Sequence, residues 1–359
     1  MKQRLHYIDA LRGLAALFVL ICHSIQIDEA LSLPYTFKNT LEAGKYGVQL
    51  FFIISALTMF YSLNIGDSNT KNFYIRRFFR IAPLYFLAVC FYARIYKSNS
   101  EGIFLNLTFL HGFSPSYINS IVPGGWSIGI EMIFYLFIPI LFKFINTFKK
   151  ALYFLFITLI ISFIFLYCYK KLFVSTSANE SFIYFWLPNQ LPVFAVGFVL
   201  YFLIFKKENC SVKEALFPLI SINLLVAFSL VTKLSIFRDH ILFAFSFGIF
   251  IYILAHLPFK LIVNKTTLFL GKISYSLYLS QYAVIEFLKK TGFYSFIPDE
   301  KFLSGIFNVC INLFFLFSGT IILSYILYHF IEIPFQRVGQ QLINKKKAKY
   351  SFLTLTLKK

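Results

Sequence analysis

The chain has 359 residues, of which 58% are apolar, 21% aromatic and only 14% charged. Soluble domains carry roughly 25% charged residues, so the composition excludes an ordinary soluble protein and predicts a polytopic membrane protein. The formal net charge of +19 does not point to nucleic acid, because that function gathers Lys and Arg on one exposed face or arm, whereas here they are scattered between apolar runs.

Apolar stretches near the ~20 residues needed to cross a bilayer predict an all-α integral membrane protein. It is a bundle of about ten transmembrane helices, at 7–26, 46–64, 79–96, 126–146, 151–169, 182–205, 214–232, 237–257, 267–288 and 303–330. The segment 101–113 is too short to cross and reads as re-entrant or interfacial. Lys and Arg concentrate on alternate connections, among them Lys2, Arg4, Arg76, Arg77, Lys149, Lys150 and the C-terminal tail, which places both termini in the cytoplasm. Localisation is then the inner (plasma) membrane. Residues 1–340 form the membrane-embedded domain, and 341–359 form a basic cytoplasmic tail lying on anionic lipid headgroups.

The first helix, YIDALRGLAALFVLICHS, carries Asp9, Arg12 and His23 inside an apolar segment. Ionisable groups in a span are costly and mark a functional site by default. At roughly 100° per residue Arg12 and His23 share a face about 16 Å apart, and Asp9 lies one turn before Arg12. A neutral imidazole is the usual group for taking a proton from a hydroxyl near neutral pH; the other reading of His23 is a hydrogen-bonded interfacial residue. Arg12 within the apolar core, and no small-x-small site after Ser24, predict an uncleaved signal-anchor.

Arg76, Arg77 and Arg80 stand in FYIRRFFRIAPLY at the entry to the third span. They are either an ordinary positive flank or a cytoplasmic anion site, since guanidinium groups match phosphate oxygens with paired hydrogen bonds. Pro83 predicts a kink that would open a gap between helices. Glu131 sits one turn into the fourth span, after PGGW and four residues beyond Ser127. A carboxylate at that depth finds a cation or a proton; its partner is an intramembrane arginine such as Arg94 or Arg12, or a ligand.

The second span, GVQLFFIISALTMFY, has small residues that permit close packing. The ninth, LFLGKISYSLYLSQYAVIEFL, is dense in hydroxyls and amides, which fits either contact with protein and water or an interfacial belt. Glu332, beside Pro334 and Arg337, reads as an end-of-helix polar cluster. Cys22, Cys90, Cys168 and Cys310 fall in apolar segments and Cys210 after a basic loop; with no CxxC and no Cys/His spacing, no metal site or disulfide framework is predicted.

In order along the chain, YIDALRGLAALFVLICHS with its Arg-x10-His spacing, GVQLFFIIS, FYIRRFFRIAPLY, GGWSIGIEMIFYLF, GKISYSLYLSQY and HFIEIPF resemble the acyltransferase 3 family. Its members are integral-membrane acyltransferases typified by bacterial O-acetyltransferases of surface polysaccharides. The resemblance implies transfer of an acyl group, commonly acetyl, from acetyl-CoA on the cytoplasmic side to a hydroxyl of a polysaccharide or lipid-linked glycan. By position, His23 resembles the family's essential first-helix histidine and Arg12 its partner. Arg76, Arg77 and Arg80 resemble the arginine motif, with CoA phosphates as the implied ligand, and Glu131 the acidic position after Trp-Ser. A catalytic set of His23, Arg12, Glu131 and Asp9 follows.

The chain departs from the pattern at IISALTMF, at Met132, and at Gln281, where a histidine is common. A stand-alone transferase is expected, without the soluble esterase-like domain fused to some relatives. The rival from another class is a glycan transporter or flippase without chemistry, which polar intramembrane residues also fit; the absence of visible inverted repeats weighs against it. An acyltransferase acting on a small molecule is a further alternative.

Overall fold

Hydrocarbon offers no partner to a backbone N–H or C=O, so a chain this apolar satisfies them within helices or a closed barrel. The computed structural model describes residues 5–27, 33–65, 69–172, 177–206, 220, 223, 224, 238–257, 259–292 and 302–356, and among these there is no strand. The helices that matter below are α1 (His6–Ser24), α2 (Tyr35–Glu42), α3 (Gly47–Asn64), α4 (Thr70–Ile95), α5 (Ser100–Leu107), α6 (Gly125–Phe144), α7 (Phe148–Leu172), α8 (Ser177–Phe185), α9 (Leu187–Phe205), α10 (Asp239–His256), α11 (Lys265–Lys272), α12 (Ser274–Thr291), α13 (Phe302–Leu327) and α14 (Ile333–Thr356). Among the described residues, eight stretches are long and apolar enough to cross a membrane. The chain is therefore the all-helical membrane protein that its composition predicts.

Three expected segments need comment. The crossing expected at 214–232 lies, apart from residues 220, 223 and 224, outside the described residues. The crossing expected at 267–288 is two helices, because the chain breaks at Ile273 between α11 and α12. Hydropathy does not register that break, since Ile273 is itself apolar and buried. Finally, α4 starts at Thr70, well before the expected 79, because the Asn69 side chain accepts from the backbone N–H of Lys71 (3.0 Å) and Asn72 (3.3 Å) and so caps the helix. The cap puts all three arginines of FYIRRFFR on a formed helix.

Helices in lipid gain little from burying apolar surface against one another, so they associate through shape. A stack of rings supplies it: Phe134 lies 3.8 Å from Phe194, Phe60 lies 4.0 Å from Phe198 and Phe52 lies 4.5 Å from Phe194, centroid to centroid. These rings lock α9 against α3 and α6, while α7 packs on the far side of α9. The outer face of α7, with Tyr153, Phe156, Phe163 and Ile164 exposed, is a surface for lipid. On the other flank, α1 is surrounded by α3, α11, α12 and α13.

Contact between α1 and α11 is backbone to backbone: a β-carbon on Gly271 would lie 1.8 Å from the carbonyl oxygen of Asp9. A π-helical turn, Tyr328–Glu332, joins α13 to α14. Its last residue, Glu332, is 4% exposed and accepts from the backbone N–H of Ser276 (3.0 Å) and from the Ser276 hydroxyl. A carboxylate from the end of the bundle thus caps the first turn of α12.

Candidate active site

On α1 the Arg12 guanidinium pairs with Asp9 across one turn, Nη1 to Oδ1 at 3.5 Å, and its Nη2 donates to Thr58 Oγ1 on α3 at 3.4 Å. Held from both sides, Arg12 presents its charge to a partly open cavity of about 60 Å³. Arg77 and Arg80 from α4, Glu131 and Tyr135 from α6, Ser55 from α3 and Tyr275 and Tyr278 from α12 line the same space. Glu131 accepts hydrogen bonds from the hydroxyls of Ser55 and Tyr135. Arg77 sits over the rings of Phe73 (5.7 Å) and Tyr135 (5.8 Å), a cation–π arrangement that holds a guanidinium away from bulk water.

Three guanidinium groups facing one carboxylate leave the cavity net positive. Such a site takes an anion through charge-assisted hydrogen bonds. Its size is that of a few water molecules, one water needing about 10–15 Å³ of such space.

Tyr278 forms the wall of the cavity toward His23. Its hydroxyl donates to the carbonyl of Gly124 (2.9 Å) and lies 2.9 Å from the Ser127 hydroxyl. Gly124 has φ +77°, a left-handed conformation, and a β-carbon there would come within 2.8 Å of the Tyr278 hydroxyl; both constraints call for glycine in PGGW. Nearby, Tyr275 donates to the carbonyl of Ile81 (2.8 Å), tying α12 to α4 two residues before Pro83.

One turn beyond Tyr278 on α12, Tyr282 meets His23: its hydroxyl is 2.8 Å from Nε2, with ring centroids 4.5 Å apart. His23 is 8% exposed, and the Gln281 side chain is near it without a hydrogen bond between the two.

The short segment expected to be re-entrant or interfacial supports the start of α6. His111 is fully buried, with Nε2 3.1 Å from the carbonyl of Gly125 and 3.2 Å from the Tyr85 hydroxyl, which in turn donates to Asn106 Oδ1 (2.8 Å). Burial pushes the His111 imidazole below its ordinary pKa of 6.5, with the hydrogen bond to the Gly125 carbonyl and the nearby Leu105 carbonyl opposing the shift.

Of the residues singled out in the sequence, Arg12, Arg77, Arg80 and Glu131 meet at one cavity, and Asp9 stands behind Arg12. Arg76 is not among the residues lining it, and His23 lies beyond Tyr278. Arg94 is exposed in the last turn of α4 and is not among the residues lining the cavity, whereas Arg12, Arg77 and Arg80 line it together with Glu131. The sequence marks Tyr282 only as one of the hydroxyls of the ninth span and Ser55 only as a small packing residue, and it leaves Tyr135 unmarked. Tyr135 had a signal, four residues after Glu131 and so on its face; the partners of Ser55 and Tyr282 lie on other helices and are not written beside them.

The family model named Acyl_transf_3 and described as an acyltransferase domain matches residues 5–329. A Staphylococcus aureus (strain COL) protein named "Putative O-acetyltransferase" is 27% identical over 95% of this chain, and another from strain MRSA252 is equally similar. The chain spans 59% of the length of each of these relatives. A protein of Acidianus two-tailed virus named "Putative acetyltransferase" is 27% identical over 79% of this chain and 84% of its own length. No solved structure matches the chain at a significant level.

Proposed function

Because the chain belongs to the acyltransferase 3 family, we propose that it transfers an acyl group, acetyl in the simplest case, from acyl-CoA to a hydroxyl of a cell-surface or exported polysaccharide. The observation that carries this reading is the meeting of Arg12, Arg77 and Arg80 with Glu131 in one cavity inside a membrane bundle. In this reading the donor enters from the cytoplasmic side of the plasma membrane, with both termini on that side. Arg76, Arg77 and Arg80 bind its phosphates. Arg12, braced by Asp9, contacts the donor from the cavity it shares with Arg77 and Arg80. Glu131 orients Arg77 and the hydroxyls of Ser55 and Tyr135.

His23 is the general base, about 16 Å along α1 from Arg12, so the acyl end must pass Tyr278 to meet a hydroxyl activated there. The acceptor is a polysaccharide or lipid-linked glycan presented from the outer side. Inverted membrane vesicles from producing cells, given radiolabelled acetyl-CoA, test the reading. Label is expected in alkali-labile esters on envelope glycan, and His23→Ala, inserted at the wild-type level, is expected to transfer none. Wild-type vesicles that leave the glycan unlabelled would overturn the reading and favour movement of glycan without chemistry.

A further inference from the structure

His23 cannot serve an incoming hydroxyl directly in the geometry observed. Its ring is 8% exposed, and Nε2 already has the Tyr282 hydroxyl at 2.8 Å. The other ring nitrogen, Nδ1, and the carbonyl oxygen Oε1 of Gln281 are both buried and have no hydrogen bond to any other group. The Gln281 side chain is near this imidazole. Closing the gap between these two unpartnered atoms would place the Nδ1 proton on Gln281 Oε1 and leave the lone pair on Nε2, which faces the phenol. Tyr282 is less buried than His23 and stands one turn from Tyr278, which lines the cavity. It is thus the group through which His23 communicates with the transfer site.

We propose that Tyr282 is a further catalytic residue, which relays the proton between the acceptor hydroxyl and His23 Nε2, with Gln281 as the positioning residue that holds the imidazole by Nδ1. This rests on the acyl-transfer reading above. As the acceptor oxygen bonds to the thioester carbon, the acceptor proton passes to the Tyr282 oxygen and the Tyr282 proton passes to Nε2. The imidazolium that results donates through Nδ1 to Gln281. When the tetrahedral intermediate collapses, the C–S bond breaks and the proton returns along the same two groups to the departing sulfur. Ester and free CoA thiol are formed, and His23 and Tyr282 end as they began.

A tyrosine that only packed against His23 would not need an ionisable proton, and this separates the two roles. The titratable groups facing Tyr282 are His23 and Cys22 on α1, Tyr278 on its own helix, and Tyr92 and Tyr96 at the end of α4. The same inverted vesicles and radiolabelled acetyl-CoA provide the assay. Tyr282→Phe is expected to lower the rate of label transfer about 100-fold while leaving the half-saturating acetyl-CoA concentration unchanged. With 3-fluorotyrosine in place of Tyr282, a phenol of nearly the same shape and greater acidity, the rate is expected within a few-fold of wild type. Its alkaline limb is then expected at lower pH.

A wild-type rate for Tyr282→Phe, or an unshifted alkaline limb with 3-fluorotyrosine, would overturn the relay while an inactive His23→Ala left the transfer reading standing. If Tyr282→Phe fails to insert, the fluorotyrosine protein alone decides. Wild-type vesicles that transfer no label would instead remove the reading on which the relay rests.

Discussion

Of the buried histidines, His23 and His111 both stand among hydroxyls and carbonyls near the cavity's helices, and only His23 is on the proposed route. His111 braces the turn into α6 through Gly125 and Tyr85, and its depressed pKa makes it a stability group. An unfolded chain takes a proton on this side chain near the ordinary value of 6.5, whereas the buried ring takes it only at lower pH. Its contribution is therefore intact above about pH 6.5 and declines as the pH falls toward the folded-state value. Thermal unfolding in detergent from pH 5 to 8 should show the wild type losing stability on the acid side. His111→Gln should start lower and lose less, so the difference between the two curves narrows as the pH falls.

At the same scale, charge in an apolar segment marks residues well: Arg12, Arg77, Arg80 and Glu131 stand out in the sequence because each is expensive where it lies. Ser55 and Tyr135 do not, since a hydroxyl in a span is common and its partner is not written beside it.

Helices were legible where hydropathy and structure ask the same question. The first two spans were expected at 7–26 and 46–64 and are found at His6–Ser24 and Gly47–Asn64. At α4 the two diverge, because Arg76, Arg77 and Arg80 depress the hydropathy of a turn that Asn69 nevertheless caps. At 267–288 they diverge again, since the stop at Ile273 is set by tertiary contacts, including the cap that Glu332 supplies to α12. Gly271 belongs to this junction. A methyl group placed there meets the Asp9 carbonyl, a backbone atom that cannot rotate aside, so α11 and α1 must separate. Gly271→Ala should cost about 1–3 kcal/mol and displace the Asp9–Arg12 pair. The checks are a lower unfolding temperature in detergent and a raised half-saturating concentration for acetyl-CoA in the vesicle assay.

Across the whole molecule, the bundle divides into a packed aromatic half around α3, α6 and α9 and a polar half around α1, α4 and α12. The first is what a membrane protein needs in order to hold together without a hydrophobic driving force. The second holds most of the groups assigned a role above, while Ser55 of α3 and Glu131 and Tyr135 of α6 reach the cavity from the first. One turn of α12 runs from Tyr278, which lines the cavity and bonds Gly124 and Ser127, to Tyr282, which meets the imidazole of His23.

That turn has an electrical meaning. A string of hydroxyls and an imidazole would also conduct protons if it ran through an energised membrane, and a gradient held across that membrane would drain through it. Tyr278 is then the insulator of the molecule as much as a wall of its cavity. Tyr278→Ala, reconstituted in liposomes with a trapped pH-sensitive dye and an imposed pH difference, should collapse that difference faster than wild type with no substrate present. Equal decay in the two proteins would show that the barrier lies elsewhere along the bundle.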